Sequence, residues 1–238
     1  MPLPRRLLLL FDIDGTLVRM RRGLPREIFE AMFREECSLE VNLKGFDYSG
    51  KTDRQIVQEL GARVGMDPKA VEELHPKAMA YIETSLSRMM TPESLQLLPG
   101  VHELLQALNS RNDCTLAILT GNTPGGAKAK LDVFGLSEYF KFGVYGSQTH
   151  DRNLLGPLAL DMASKLHGTD AFAPNDVVVI GDSIRDAACA RAIGARAIIT
   201  LTGSSLKEAF VHEPVQRFFD DLSETANVVD AIYQNHSS

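Results

Sequence analysis

The chain has no tryptophan, only three cysteines, aromatic residues at 7% and no excess of positive charge. Each shortage excludes something. Cys37, Cys114 and Cys189 are odd in number, far apart and without CxxC spacing, so neither a disulfide framework nor a thiolate zinc site is expected. The six histidines add no metal-ligand spacing. Lys plus Arg is 25 against 31 for Asp plus Glu, a formal charge of -6, which argues against nucleic acid or an anionic membrane surface as partner. No apolar run approaches the length of a membrane span. The start, MPLPRRLLLLFD, has the arginines and leucines of a signal peptide, but its apolar stretch ends after five residues, too short for an h-region. The expected setting is cytoplasmic and reducing. With 238 residues, 44% hydrophobic and 24% charged, the chain can bury one good core or a core plus a smaller domain.

What is present is an apolar run that stops at two aspartates. Leu7 to Val18 reads LLLLFDIDGTLV, and the run from Leu7 to Phe11 fits a strand buried on both faces of a parallel sheet. Asp12 then stands at the carboxyl end of the strand, the rim where open α/β sheets bind ligands. Asp12 and Asp14 repel one another unless a cation, a proton or solvent intervenes. A solvated Asp-Gly turn is the plainer reading of the same residues.

Four further segments read as strands: Thr115 to Leu119, Phe142 to Tyr145, Val177 to Ile180 and Ala197 to Leu201. Helical patterns lie between them, at Pro99 to Ser110, from Thr123-Pro124 through Lys130, at Asn153 to His167 and at Ile184 to Ile193 closed by Gly194. Alternation of this kind predicts an α/β fold with a doubly wound, Rossmann-like parallel sheet. From Arg19 to about Leu97 the pattern changes to three helices, Arg26 to Cys37, Asp53 to Val64 and Asp67 to Met90, with a single weak strand signal at Leu39 to Leu43. The expected organisation is a core domain of residues 1–18 and 98–238, with an α-helical cap domain of residues 19–97 inserted as a lid. Residues from Asp220 to Tyr233 form a last packing helix.

Two other strands end as the first does. Thr115 to Leu119 runs into Thr120-Gly121-Asn122, and Val177 to Ile180 runs into Gly181-Asp182, with Asp186 one helical turn on. The ordered set DIDGT, LTGN and GDSIRD resembles the first, second and fourth motifs of the haloacid dehalogenase (HAD) superfamily. The helical insert is similar to the cap of its phosphoglycolate phosphatase and β-phosphoglucomutase branch. The resemblance implies a magnesium-dependent phosphatase acting on a small phosphorylated metabolite. Asp12 would be the nucleophile that forms an aspartyl-phosphate, and Asp14 the general acid and base. Thr120, with N–H groups at Gly121 and Asn122, would hold the phosphoryl oxygens. Asp12, Asp182 and the backbone carbonyl of Asp14 would bind Mg2+, and Asp186 would orient a neighbour.

The third motif departs from that pattern, since a lysine is usual before the helix that precedes the fourth motif. Here the stretch reads GSQTHDRNLLGPLAL, so Arg152 is the best match and Lys141 and Lys165 are poorer ones. Arg keeps the charge and a bidentate fork but cannot exchange a proton. His150 nearby reads as a surface loop residue.

A phosphomutase shares nearly all these residues. A module in which phospho-aspartate is a signal rather than an intermediate is the non-enzymatic alternative. Gly45 to Thr52, GFDYSGKT, also satisfies the P-loop pattern of an NTPase, although Phe46, Asp47 and Tyr48 suit a phosphate poorly and Thr52-x-x-Gln55 reads as a capping box. Within a cap, Lys51 and Arg54 are the expected contacts to substrate. Composition says nothing about the oligomeric state.

Overall fold

A computed structural model describes residues 6–168 and 171–234; the first residues of the signal-like start and His236 lie outside it. In chain order the main elements are β1 (Leu7–Phe11), β2 (Val18–Met20), α1 (Leu24–Cys37), α2 (Asp53–Arg63), α3 (Pro68–Met89), β3 (Leu95–Leu97), α4 (Val101–Asn109) and β4 (Cys114–Thr120). There follow α5 (Pro124–Asp132), β5 (Gly143–Tyr145), α6 (Leu155–His167), β6 (Val177–Gly181), α7 (Ile184–Ala192), β7 (Arg196–Thr200), β8 (Val215–Phe219) and α8 (Thr225–Tyr233).

All five residues of β1 are fully buried, and their alternation divides the interior in two. Leu7, Leu9 and Phe11 face one core, shared with α4, α8 and the helices of the insert. Leu8 and Leu10 face the other, shared with α6 and α7. That is why the run is continuously apolar, for a strand in mid-sheet has no solvent face to spend on polar side chains. The sheet has six strands in the order β5-β4-β1-β6-β7-β8, every neighbouring pair parallel. In register, Phe11 lies between Ile118 and Ile180, so β1, β4 and β6 end at the same rim. The fold is the expected doubly wound α/β sheet.

The insert hangs on β2 and β3, a two-stranded antiparallel ribbon in which Val18 pairs with Leu97 and Met20 with Leu95. Its helices start where the caps predict: Thr52 Oγ1 accepts from the Gln55 amide at 3.0 Å before α2, and Asp67 from the Lys69 amide at 2.8 Å before α3. Residues 39–43 form no strand. Val41 and Leu43 are buried while Asn42 is exposed, so the alternation is real, but no neighbouring segment among the described residues offers a ladder. The P-loop pattern at 45–52 therefore has no sheet strand leading into it, the feature on which that reading depended.

Candidate active site

Three strand ends and one short turn build the site. From β1, the Asp12 amide still donates to the Ile180 carbonyl at 2.9 Å, so the residue is held as part of the sheet although its side chain has left the ladder. The chain then turns at Gly15, with φ +87°, where a Cβ would stand 2.5 Å from Asp182 Oδ2. Glycine is required there on both counts. β4 delivers Thr120, and Thr123 then caps α5 by accepting from the Gly126 amide. β6 delivers Asp182, and Ser183 and Asp186 close a capping box at the start of α7.

Arg152 enters from a single 3-10 turn, residues 152–154, ahead of α6. It is 4% exposed, with its Nη2 3.1 Å from Asp12 Oδ1 and 2.5 Å from Asp186 Oδ1, and Nη1 donates to the Gly50 carbonyl at 3.1 Å. Lys165 lies elsewhere, paired with Asp161 on the exposed face of α6, which leaves the arginine as the cation beside Asp12. Asp186 is fully engaged. Its other oxygen accepts from the amides of Asp182 and Ser183 and from the Ser183 hydroxyl, so it anchors Arg152 and the loop.

The charges do not balance. Asp12, Asp182 and Asp186 bring carboxylate oxygens within 4.8 Å of one another, against the single guanidinium of Arg152. Burial raises the Asp12 carboxyl to about 6, Arg152 opposing the rise while Asp186 and Asp14 add to it. Burial also lifts Asp182 well above the usual range, reinforced by Asp186 and Asp12. Burial disfavours the charged form of Arg152, but Asp186 and Asp12 outweigh it and hold the guanidinium protonated. Among the described residues Asp182 receives only a 3.4 Å contact from Thr16. Its carboxylate sits in a cradle in which a Cβ at Gly15 or Gly203 would overlap it. A hard cation fits this all-oxygen set, with Asp12 and Asp182 open to it and Asp186 committed elsewhere.

Two residues of the site were not foreseen. Lys130, on α5, is 1% exposed and its Nζ lies 2.6 Å from both Asp14 Oδ2 and Asn122 Oδ1. A usable signal was its place on the α5 face that also carries Gly126, Ala127 and Leu131, an apolar position filled by a cation. Asp53, the first residue of α2, accepts from the Thr123 amide at 2.9 Å, and its own amide donates to the Gly121 carbonyl at 2.7 Å. Gly121 has no room for a side chain, since a Cβ there would meet the Lys51 carbonyl at 2.0 Å.

The remaining expectations divide. Lys51 lines the cavity beside Asp12, although its ammonium pairs with Glu59 at 2.5 Å and lies 4.4 Å above the Phe46 ring. Arg54 does not reach the cavity, because its guanidinium turns away to Glu72 on α3. His150 is exposed, and its carbonyl accepts from Thr52.

Asp53 supplies a test of stability. Burial raises its carboxyl to about 6, Lys130 and the Thr123 amide opposing the rise. Between pH 4 and 6 the folded chain keeps a proton that the unfolded chain has lost, so stability falls as pH rises through that window. A shift of about two units costs about 3 kcal/mol at neutral pH. Asp53→Asn keeps an acceptor for the Thr123 amide. Urea unfolding of metal-free protein should show the variant equal to the parent below pH 4, more stable above pH 7, and with a shallower slope between.

A cavity of about 840 Å3 opens over these residues, floored by Asp12, Asp14, Thr120 and Arg152 and walled by Phe29, Tyr48 and Lys51 of the insert. The sequence profile of the haloacid dehalogenase-like hydrolases matches residues 9–200, from β1 through β7. The chain belongs to that family. This haloacid dehalogenase-like hydrolase is 26% identical over 232 residues to phosphoglycolate phosphatase 1 of Pseudomonas aeruginosa, covering 96% of this chain and 80% of the relative. It is 28% identical over 196 residues to phosphoglycolate phosphatase of Nitrosospira multiformis, covering 81% and 82%. Its fold matches CbbY from Rhodobacter sphaeroides, solved in complex with phosphate, with a TM-score of 0.66, 19% identity and coverage of 92% and 96%. No helix among the described residues is long and apolar enough to cross a membrane.

Proposed function

We propose that this hydrolase removes phosphate from a small organic phosphate monoester through an aspartyl-phosphate on Asp12. The observation that carries the reading is the buried group of Asp12 and Asp182, at the ends of β1 and β6, with Arg152 and Asp186, beside Thr120 at the end of β4. A carboxylate oxygen of Asp12 attacks phosphorus, and the phosphorus–oxygen bond to the alcohol breaks as Asp14 gives its proton to the leaving oxygen. Asp14 then takes a proton from the water that attacks the phospho-aspartate, which releases phosphate and restores both carboxyl groups. Thr120 and the amides of Gly121 and Asn122 receive the phosphoryl oxygens. Arg152 is held by two carboxylates, and its Nε, buried without a partner among the described residues, is a donor left over for phosphate.

Asp12, Asp182 and the Asp14 carbonyl would hold Mg2+, which when bound neutralises the carboxylates and lets a phosphate dianion approach. The helices of residues 19–97 act as the cap, and their wall side chains select the ester. Relatives named phosphoglycolate phosphatase make 2-phosphoglycolate the first ester to try. The cavity is large by the scale of ligand sites, which run from roughly 300 to 1,000 Å3, and leaves room for more than a two-carbon acid.

The test is phosphate release from 2-phosphoglycolate, sugar phosphates, nucleoside monophosphates and 4-nitrophenyl phosphate, with Mg2+ or with EDTA. Release that requires Mg2+ is expected for at least one ester. No release from any of them, or equal release in EDTA, overturns the reading. Interconversion of a sugar phosphate without net release would mark a mutase instead.

A further inference from the structure

Lys130 is among the largest fully buried side chains of the chain. An ammonium in that position is costly unless it is paired and hydrogen-bonded, and an apolar residue would complete the face of Gly126, Ala127 and Leu131 without that cost. Its contacts converge on one atom. Lys130 Nζ lies 2.6 Å from Asp14 Oδ2, and Asn122 Nδ2 donates to the same oxygen at 2.7 Å. Asn122 cannot turn its amide over, because its Oδ1 accepts from Lys130 at 2.6 Å and its Nδ2 also meets Thr120 Oγ1 at 2.8 Å. Two donors occupy both lone pairs of Asp14 Oδ2. Oδ1 is buried and has no hydrogen-bond partner among the described residues.

We propose that Lys130 is a positioning residue: acting with Asn122, it fixes Asp14 by Oδ2 and leaves Oδ1 as the oxygen that exchanges a proton with the leaving alcohol. This rests on the role given to Asp14 above. A lysine that only filled space would not need to fix the orientation of Asn122. Here the orientation also serves Thr120, so one buried ammonium sets both the proton carrier and the hydroxyl that faces phosphate.

The experiment compares Lys130→Met and Lys130→Gln with the parent on two esters whose leaving groups differ. An alkyl phosphate such as 2-phosphoglycolate needs its leaving oxygen protonated, whereas 4-nitrophenyl phosphate expels a stable anion without help. For Lys130→Met, kcat/KM on the alkyl ester should fall by about 100-fold or more, the scale of general-acid catalysis, and by less than about tenfold on the aryl ester. Lys130→Gln, which keeps an N–H donor, should recover part of the loss and serves in its place if the methionine variant does not fold. Crystal structures of the variants should show Asp14 or Asn122 turned from the parent orientation. Equal losses on both esters, or unmoved Asp14 and Asn122 side chains, overturn the proposal. The alkyl ester is whichever of the panel above the parent turns over; if it hydrolyses none of them the phosphatase reading fails, and the Asp14 orientation in the variant structures decides the clamp by itself.

Discussion

Asp12→Asn should lower phosphate release by about 10^3-fold or more, the scale on which loss of a nucleophile acts, while the protein stays folded. The amide fills the same space but offers no anionic oxygen to phosphorus and is a poor ligand for a hard cation. Its effect on stability should have the opposite sign. Burial raises the Asp12 carboxyl to about 6, so ionising it in the folded chain costs about 3 kcal/mol relative to an exposed aspartate. In metal-free protein at pH 8 the variant should melt at or above the parent temperature, and addition of Mg2+ should raise the parent far more than the variant. A variant with near-parental turnover would remove Asp12 from the chemistry.

Arg152→Met carries the second large effect, on stability and activity together. It strips the guanidinium from Asp12 and from Asp186, which is 0% exposed, and leaves two buried carboxylates without their cation. Breaking one side of such a pair costs about 3–5 kcal/mol, equivalent to a fall in melting temperature of roughly 10 °C for a chain of this size. Turnover should be lost as well. Arg152→Lys keeps the charge but has one ammonium for the Gly50 carbonyl, Asp12 and Asp186, so activity should fall by about 10- to 100-fold with a smaller loss of stability. The double variant Arg152→Met with Asp186→Asn separates the two effects. It should regain part of the lost stability, since one of the two stranded charges has gone, and none of the activity. Thermal melts and phosphate release on the four proteins check both.

How far these residues could be read from the chain depends on what each one touches. β1, β4 and β6 were legible because strands buried on both faces must be continuously apolar, and Asp12, Thr120 and Asp182 stood out as the residues that end those runs. β8 was not, since its VQRFF is only half-buried along most of its length, with Arg217 exposed, and shows no run. The ribbon of β2 and β3 joins three-residue pieces about 75 positions apart, too short for any period. Leu39 to Leu43 erred the other way, because alternating burial marks a strand only where a neighbour completes the ladder. In the site, Arg152 could be found because its position relative to the fourth motif is fixed by the fold. Asp53 could not, and Lys130 left only its place on a short apolar helix face as a signal. Each looks like an ordinary charge on a helix, and only the contacts of Lys130 with Asp14 and Asn122, and of Asp53 with Thr123 and Gly121, show them turned inward. Arg54, one residue along the same helix, points to Glu72 instead, a difference of 100° about the helix axis that the letters alone do not orient.

The continuous burial of β1 has a consequence for motion. The backbone of Asp12 is tied to Ile180 in the middle of a six-stranded sheet, with both cores closing on the strand before it. Hydrogen bonds of that kind open only when the whole domain unfolds, on the slowest timescale the protein has. Under the proposed mechanism the nucleophile is therefore stationary through a catalytic cycle. Exchange of ester for alcohol and phosphate must be accommodated by the parts around it, the turn at Gly15 and the helices on their two-stranded stem.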